Sequence, residues 1–488
     1  MTAQNSLDRG KKPVQISLRC FADNDVQFTN REPPHSNHNN STVLVFGTET
    51  TSDQYQNLVI GSCGIWTNGN LEKFYLFYDD SSKQSLTEKI KSHVAKTKLP
   101  DECTIDIMSR DEFVTKIFFP HVYSGRAKCV GFDLPFEISR LAIHHGKARN
   151  MQNGFSFKLS ENLFYPNIRI RSINNNASFV QFAAPIRKKS EKKRQTYRGY
   201  FIDLKTLNYS MTNESCEDVF EVMHVENKSQ SKISLESIRH NIEKTMTTYQ
   251  LYQKLIRQFT DVFLLPEESA NKMYSPASIA KKYLEKLGIK PFLQKNPDFL
   301  KEIIGFLMSS YYGGRTEVRI RKKPVRISYL DFTSMYPSMF VLMNMNQFLK
   351  SEKVSIKHTT EKIQELLEKI TPESVSGNGF WCNVMTICRI RPDNDILPAR
   401  SDFGKGKAQN IGVNHLKSTD DTALWYTLPD LIASKLLTGR IPTIDDAITF
   451  VPQGVQEFPN DNVQILKDIT VNPAKDDFIK QLIEKRLN

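Results

Sequence analysis

Residues 1–40 are polar and close on Pro33, Pro34, His35, Ser36, Asn37, His38, Asn39 and Asn40. That composition predicts a tail and linker, with one short strand over Val14–Cys20. The pattern changes at Thr42. Val43–Phe46 is an unbroken apolar run and Phe74–Tyr78 is a second. Both predict buried strands, because a strand covered on two faces needs no polar alternation. Leu86, Ile90 and Val94 recur at helical spacing within Leu86–Lys98. Val130–Phe132 ends a short strand and Pro135–His145 predicts a helix. Phe179–Ala184 and Gly199–Leu204 read as strands flanking Arg187–Arg194, a charge run that predicts a solvated hairpin tip. Ile238–Leu264 is helical, with Leu251, Leu255 and Phe259 on one face, and two more helices follow over Ser278–Leu287 and Pro297–Ser310. Beyond these, Thr360–Ile370 is an amphipathic helix, and Phe380–Arg391 alternates like a strand. Leu428–Leu437 is a helix closed by Gly439, and Asp476–Asn488 begins another.

Strands alternating with helices in the first half predict an α/β domain, and the later order predicts an α+β one. With 488 residues the chain has room for roughly two to four domains. The net charge of +12 and pI near 9.1 suit a polyanionic partner. The seven cysteines fall without any C-x-x-C pair, which argues against a zinc site or a disulfide framework and for a reducing compartment. No run of apolar residues reaches transmembrane length, so a soluble, cytoplasmic protein without membrane association is expected.

The most distinctive chemistry lies at Ile327, Ser328, Tyr329, Leu330, Asp331, Phe332, Thr333, Ser334, Met335, Tyr336, Pro337 and Ser338. A hydrophobic run leads into one carboxylate and then turns. This pattern predicts Asp331 at the exposed end of a buried strand, where a carboxylate can hold a hard cation together with substrate phosphates. Small Ser334 lets backbone N–H groups approach those phosphates, and Tyr336 sets a flat ring beside them.

This stretch resembles the first palm motif of family B DNA polymerases, D-x-x-S-L/M-Y-P-S. Upstream, Tyr311, Tyr312, Gly313, Gly314 and Arg315 resemble the Y-x-G-G segment that joins the nuclease and polymerase halves of that family. Two ordered motifs are far more specific than either alone. The resemblance implies an α/β and α+β multidomain chain. It divides into a polar tail (1–40), an RNase H-like 3′–5′ exonuclease-like domain (41–260) and a helical connector (261–310). A partial polymerase palm (311–475) and the start of a fingers helix (476–488) follow, with fingers and thumb missing. It further implies that Asp331 and the carbonyl of Phe332 bind Mg²⁺, and that Ser334, Met335 and Tyr336 face a dNTP. Tyr312, Gly313, Gly314 and Arg315 would then meet primer–template DNA.

The same resemblance lets the nuclease half be checked position by position. The family's first strand ends Phe-Asp-x-Glu; here it reads Phe46, Gly47, Thr48, Glu49. Its second segment reads Asn-Leu-Pro-Phe-Asp; here it reads Asp133, Leu134, Pro135, Phe136, Glu137. Its third is Tyr, three residues, then Asp on a helix, and aligning on Thr248, Leu251 and Tyr252 puts His240 and Lys244 there. Glu49, Glu137 and Asp133 thus survive as a degenerate metal site. A lysine at a ligand position favours a nuclease fold without nuclease activity, since two-metal hydrolysis tolerates few missing ligands.

Phosphoryl transfer in this family needs a second carboxylate, carried by a D-T-D hairpin, and a lysine in K-x-x-x-N-S-x-Y-G. Neither motif occurs. The expected function is therefore the N-terminal portion of a DNA-directed DNA polymerase that requires a C-terminal polymerase fragment carrying those motifs. The alternatives are a catalytically inactive DNA-binding remnant and, third, a stand-alone 3′–5′ exonuclease.

Overall fold

The computed structural model describes residues 15–20, 41–81, 90, 94, 103–149, 151–184, 197–214, 235–315, 320, 322–332, 334–377, 379–402, 410–419 and 422–487. The chain is a mixed α/β protein of two compact units. One comprises Asn30–Tyr283 with Gln464–Asp468; the other comprises Met1–Thr29, Leu284–Val463 and Ile469–Asn488. Among the described residues no helix is long and apolar enough to cross a membrane.

The first unit is built on strands β1 (Thr42–Thr50), β2 (Leu58–Thr67), β3 (Asn70–Tyr78), β4 (Ile105–Ser109) and β5 (Lys128–Gly131). β6 (His144–Lys147), β7 (Phe155–Lys158), β8 (Ile168–Asn174), β9 (Ala177–Phe182) and β10 (Tyr200–Asp203) follow. Its main sheet has the order β10-β5-β1-β2-β3-β4. β1, β2 and β3 form an antiparallel meander, whereas β5 runs parallel to β1, β10 parallel to β5 and β4 parallel to β3. β2 alone therefore opposes the other strands. β1 is central and covered on both faces, which is why its sequence needs no polar alternation. Leu44 and Phe46 enter a core with Phe77, Phe113, Phe118 and Ile138, supplied by α1 (Phe113–Ser124, π-helical) and α2 (Leu134–Leu141). After α3 (Leu204–Thr212), the long helix α4 (Leu235–Arg257) packs against β1 and β2, stacking Tyr249 on Trp66 at 4.0 Å. Gly61 and Gly64 of β2 make room for aromatic rings, since a Cβ would stand 2.1 Å from Phe77 and 2.4 Å from Trp66. A separate four-stranded antiparallel sheet, β6-β7-β8-β9, completes the unit.

The second unit carries β11 (Lys353–His358), β12 (Thr386–Arg391), β13 (Asp393–Ser401), β14 (Asn410–Lys417), β15 (Leu424–Thr427) and β16 (Thr443–Gln453). Four of them form an antiparallel sheet in the order β11-β16-β12-β15, and β13 pairs with β14. Ile387 of β12 packs with Val354, Ile448 and Phe450, while Cys388 and Ile390 join Tyr426, Leu428 and Leu431. Its longer helices include α5 (Lys301–Ser309), α6 (Met335–Leu342), α7 (Thr360–Lys369), α8 (Leu428–Thr438) and α9 (Phe478–Leu487). Gly439 closes α8 at φ 71°, its N–H donating to the Lys435 carbonyl, as the sequence predicted.

Several expectations are corrected. Residues 15–20 form no strand; the Ser17 N–H donates to the Arg400 carbonyl at 2.7 Å and the Gln15 carbonyl accepts from the Ser401 hydroxyl at 2.8 Å, which is not the regular backbone ladder of a strand. The helix expected over Pro135–His145 stops at Leu141, because the chain then enters β6. The strand expected over Phe380–Arg391 begins only at Thr386, after a 3₁₀ turn at Phe380–Asn383. Helix Leu86–Lys98 lies outside the described residues apart from Ile90 and Val94, both helical, and the Arg187–Arg194 tip lies wholly outside them.

Candidate functional site

The end of β1 brings two of the sequence-predicted carboxylates, Glu49 and Glu137, together. Successive residues of a strand point to opposite faces. Gly47 accordingly faces α4, where a Cβ would lie 3.7 Å from Cδ and Cε of Lys244. Thr48 faces α2, where Glu137 is 2% exposed. Glu137 Oε2 accepts from the Thr48 backbone N–H (2.6 Å) and from its hydroxyl (2.5 Å). Oε1 meets the Lys244 ammonium at 3.2 Å, and the same ammonium donates to the Thr48 carbonyl at 3.2 Å. Lys244 thus lies inside the carboxylate cluster and ties its two sides together. Both Glu137 oxygens are engaged, and a positive charge stands where a cation would have to enter.

Glu49 is set one position further along β1, with Oε1 buried, accepting no hydrogen bond among the described residues, and 3.8 Å from His240 Nε2. Burial pushes its carboxyl up to about 7; Lys244 and Asn241 oppose the rise and Glu137 adds to it. An acid whose folded pKa exceeds its unfolded value costs stability as pH climbs from the unfolded to the folded value, and the cost is complete above it. Between the ordinary 4.5 and about 7 this amounts to at most about 3 kcal/mol. Glu49→Gln should therefore melt close to the parent at pH 5 and above it at pH 8. An equal difference at both pH values would show that Glu49 does not titrate in that window.

Asp133 takes a different role. It is the N-cap of α2, accepting from the Phe136 N–H at 3.3 Å, and Lys205 lies 3.7 Å from its Oδ2. Asp203, which the sequence analysis missed, ties these elements together. It accepts from the Leu134 N–H at 2.9 Å and from the Thr206 N–H at 3.1 Å, and it also takes the Thr206 hydroxyl. Burial, with Asp133 nearby as the second cause, raises Asp203 to about 7. Its sequence signal was the Asp-x-x-Thr cap at the head of α3.

In the second unit, Asp331 is exposed and lies outside any strand or helix, as does the whole of 322–332. This corrects the buried strand predicted for Ile327–Asp331. None of the backbone groups of 322–331 forms a hydrogen bond among the described residues, and a strand without a ladder partner is not stable. The apolar side chains consequently stand in the open: Ile327 is 79% exposed, Tyr329 86%, Leu330 90% and Phe332 78%. The Phe332 carbonyl accepts the Met335 N–H at 3.2 Å, so both groups expected to face a metal or a triphosphate are engaged with each other. Ser334 precedes α6 in the left-handed region at φ 53°, and Tyr336 projects 76% exposed. Tyr312 was expected at DNA but is 4% exposed, its ring stacked on Tyr426 at 4.9 Å. Gly313 has φ 106°, where a Cβ would strike Ile411 at 2.8 Å, so glycine is required. Gly314 and Arg315 are exposed.

Neither place fits a divalent ion as it stands. At β1 the ammonium of Lys244 fills the cluster, and at Asp331 the described residues supply a single carboxylate. No group of three or more His, Cys, Asp or Glu side chains among the described residues is placed to hold a metal. The chain matches no protein-family model and no curated protein sequence.

Proposed function

We propose that this chain is the N-terminal portion of a family B-like DNA-directed DNA polymerase. It holds primer–template DNA and dNTP only partly, and it becomes catalytic when the second carboxylate and the lysine that these 488 residues lack are supplied. The observation that carries the reading is the segment Asp331–Ser338. Its Asp331 and Tyr336 are presented to solvent, and the apolar run before them pairs with no strand among the described residues. Support also comes from the first unit. A β1–β3 meander followed by parallel β5 and β10, with β2 alone reversed, is the strand arrangement an RNase H-like domain requires.

The two-metal chemistry assigned to this family stabilises charge on the transferred phosphoryl group, and one carboxylate cannot fix two Mg²⁺ ions. The second carboxylate and the triphosphate-binding lysine must then come from a fragment carrying D-T-D and K-x-x-x-N-S-x-Y-G. The nuclease-like half is catalytically silent in this reading, because Lys244 neutralises its site. Purified alone, the chain should bind primer–template DNA and incorporate no nucleotide. Mixed with such a fragment it should extend the primer, and Asp331→Ala should abolish extension. Extension by the chain alone, lost in Asp331→Ala, would overturn the need for a partner.

A further inference from the structure

The sheet β6-β7-β8-β9 has two chemically opposite faces. Register pairs Phe155 with Ile170, Phe157 with Ile168, and Ile168 with Phe182, so these residues share one face, and Ile168, Ile170 and Phe182 are buried. The alternate positions of β8, Arg169 and Arg171, therefore lie on the other face, paired with Gln181 and Phe179 of β9. Arg198 reaches the same place, its Nη1 donating to Gln181 Oε1 at 3.3 Å. Arg169 donates through Nη1 to the Arg149 carbonyl at 3.0 Å, while its Nε is buried and has no acceptor among the described residues. None of Arg149, Arg169, Arg171 and Arg198 has a carboxylate partner among the described residues.

Like charges on one face repel unless something neutralises them. Desolvation, and next the Arg198 guanidinium, pull Arg169 below its ordinary value, which marks that repulsion. Several other cations of this unit do have carboxylate partners: Lys128 with Glu267, Lys158 with Glu161, and Arg110 with Asp80. What sets this face apart is that its guanidinium groups share one side of one small sheet. Guanidinium forks match phosphate oxygens in geometry and charge.

We propose that this face binds the phosphodiester backbone of a single-stranded nucleic acid, with Arg169, Arg171 and Arg198 as phosphate contacts. The choice of a nucleic acid over another polyanion rests on Phe179, which lies opposite Arg171 with its ring 5.2 Å from Tyr274. Basic side chains bordered by aromatic rings are the pattern of single-strand binding. The site is independent of the polymerase reading, because all its residues belong to the first unit and none involves Asp331.

The test measures binding of the full chain to a thymidine 30-mer across a salt series. Neutralising three phosphate contacts with Arg169→Gln, Arg171→Gln and Arg198→Gln should flatten the slope of log affinity against log salt by about 2, at roughly 0.7 per contact. Affinity at 0.1 M salt should fall at least tenfold. Arg171→Gln alone, at an exposed position whose side chain makes no hydrogen bond among the described residues, should show about a third of the slope change and guards against misfolding of the triple variant. The lysine pair Lys369→Gln and Lys480→Gln, in the other unit, should leave the slope unchanged. An unaltered slope in the triple variant, an equal loss in the lysine control, or equally strong binding of heparin with the same dependence on these arginines would each overturn the proposal. The probe has no primer terminus and no dNTP is present, so failure of the polymerase reading leaves this result standing.

Discussion

Lys244→Ala should destabilise the first unit by about 3–5 kcal/mol, the cost of leaving a buried charge without its partner. Glu137 is 2% exposed and loses the ammonium that meets its Oε1. The Thr48 N–H and hydroxyl still serve Oε2, which holds the loss toward the lower end of that range. In a unit of this size each kcal/mol shifts the melting temperature by about 2–4 °C, so a fall of roughly 10 °C is expected. The sign of the second change identifies the cause. Glu137→Gln placed on the Lys244→Ala background removes the orphaned charge and should recover part of the loss, with a coupling of about 0.5–3 kcal/mol. Strict additivity of the two single changes would show that Lys244 acts through packing of its methylenes and not through the ion pair.

That ion pair also marks where sequence reasoning stopped. The resemblance, placed on Thr248, Leu251 and Tyr252, set Lys244 where a carboxylate was expected, and it was read as a charge hostile to metals. The spacing along one chain cannot show that the ammonium bridges Glu137 to the Thr48 carbonyl, a contact across 107 residues. Strand β1 and helix α4 were legible because an unbroken apolar run and a helical stripe are local signals. β6, β7 and β8 were missed for the opposite reason: His144–Lys147 is exposed throughout and is a strand only because β7 pairs with it. The same logic, reversed, undid the strand at Ile327–Asp331. Its apolar content is that of a buried strand, but extended structure is fixed by a neighbour, and no described strand lies beside it. Tyr312 was assigned by motif alone, and burial against Tyr426 overrode the motif.

Gly47→Asp combined with Lys244→Asp should convert the neutralised cluster into one that binds divalent cations. Space is available, because a Cβ at position 47 makes only ordinary contacts at 3.7 Å. Either change alone fails for a stated reason. Gly47→Asp places a third carboxylate beside an ammonium that already meets Glu137, which strengthens the internal pair. Lys244→Asp removes that ammonium and crowds a carboxylate against Glu49 and Glu137, which destabilises. With both, four carboxylates meet at the end of β1, and their repulsion is relieved only by an added cation or by protons. Stabilisation by a ligand held at 100 times its dissociation constant is about 2.7 kcal/mol, so Mn²⁺ should raise the melting temperature of the double variant by several degrees. The parent chain should not respond. On the nuclease-like reading, the double variant alone should also degrade single-stranded DNA with Mg²⁺ or Mn²⁺. A double variant that folds but gains no Mn²⁺ response would mean that this cluster never had the geometry of a metal site. Robust Mg²⁺-dependent cleavage by the parent chain, lost in Glu49→Ala, would mean that Lys244 does not silence it.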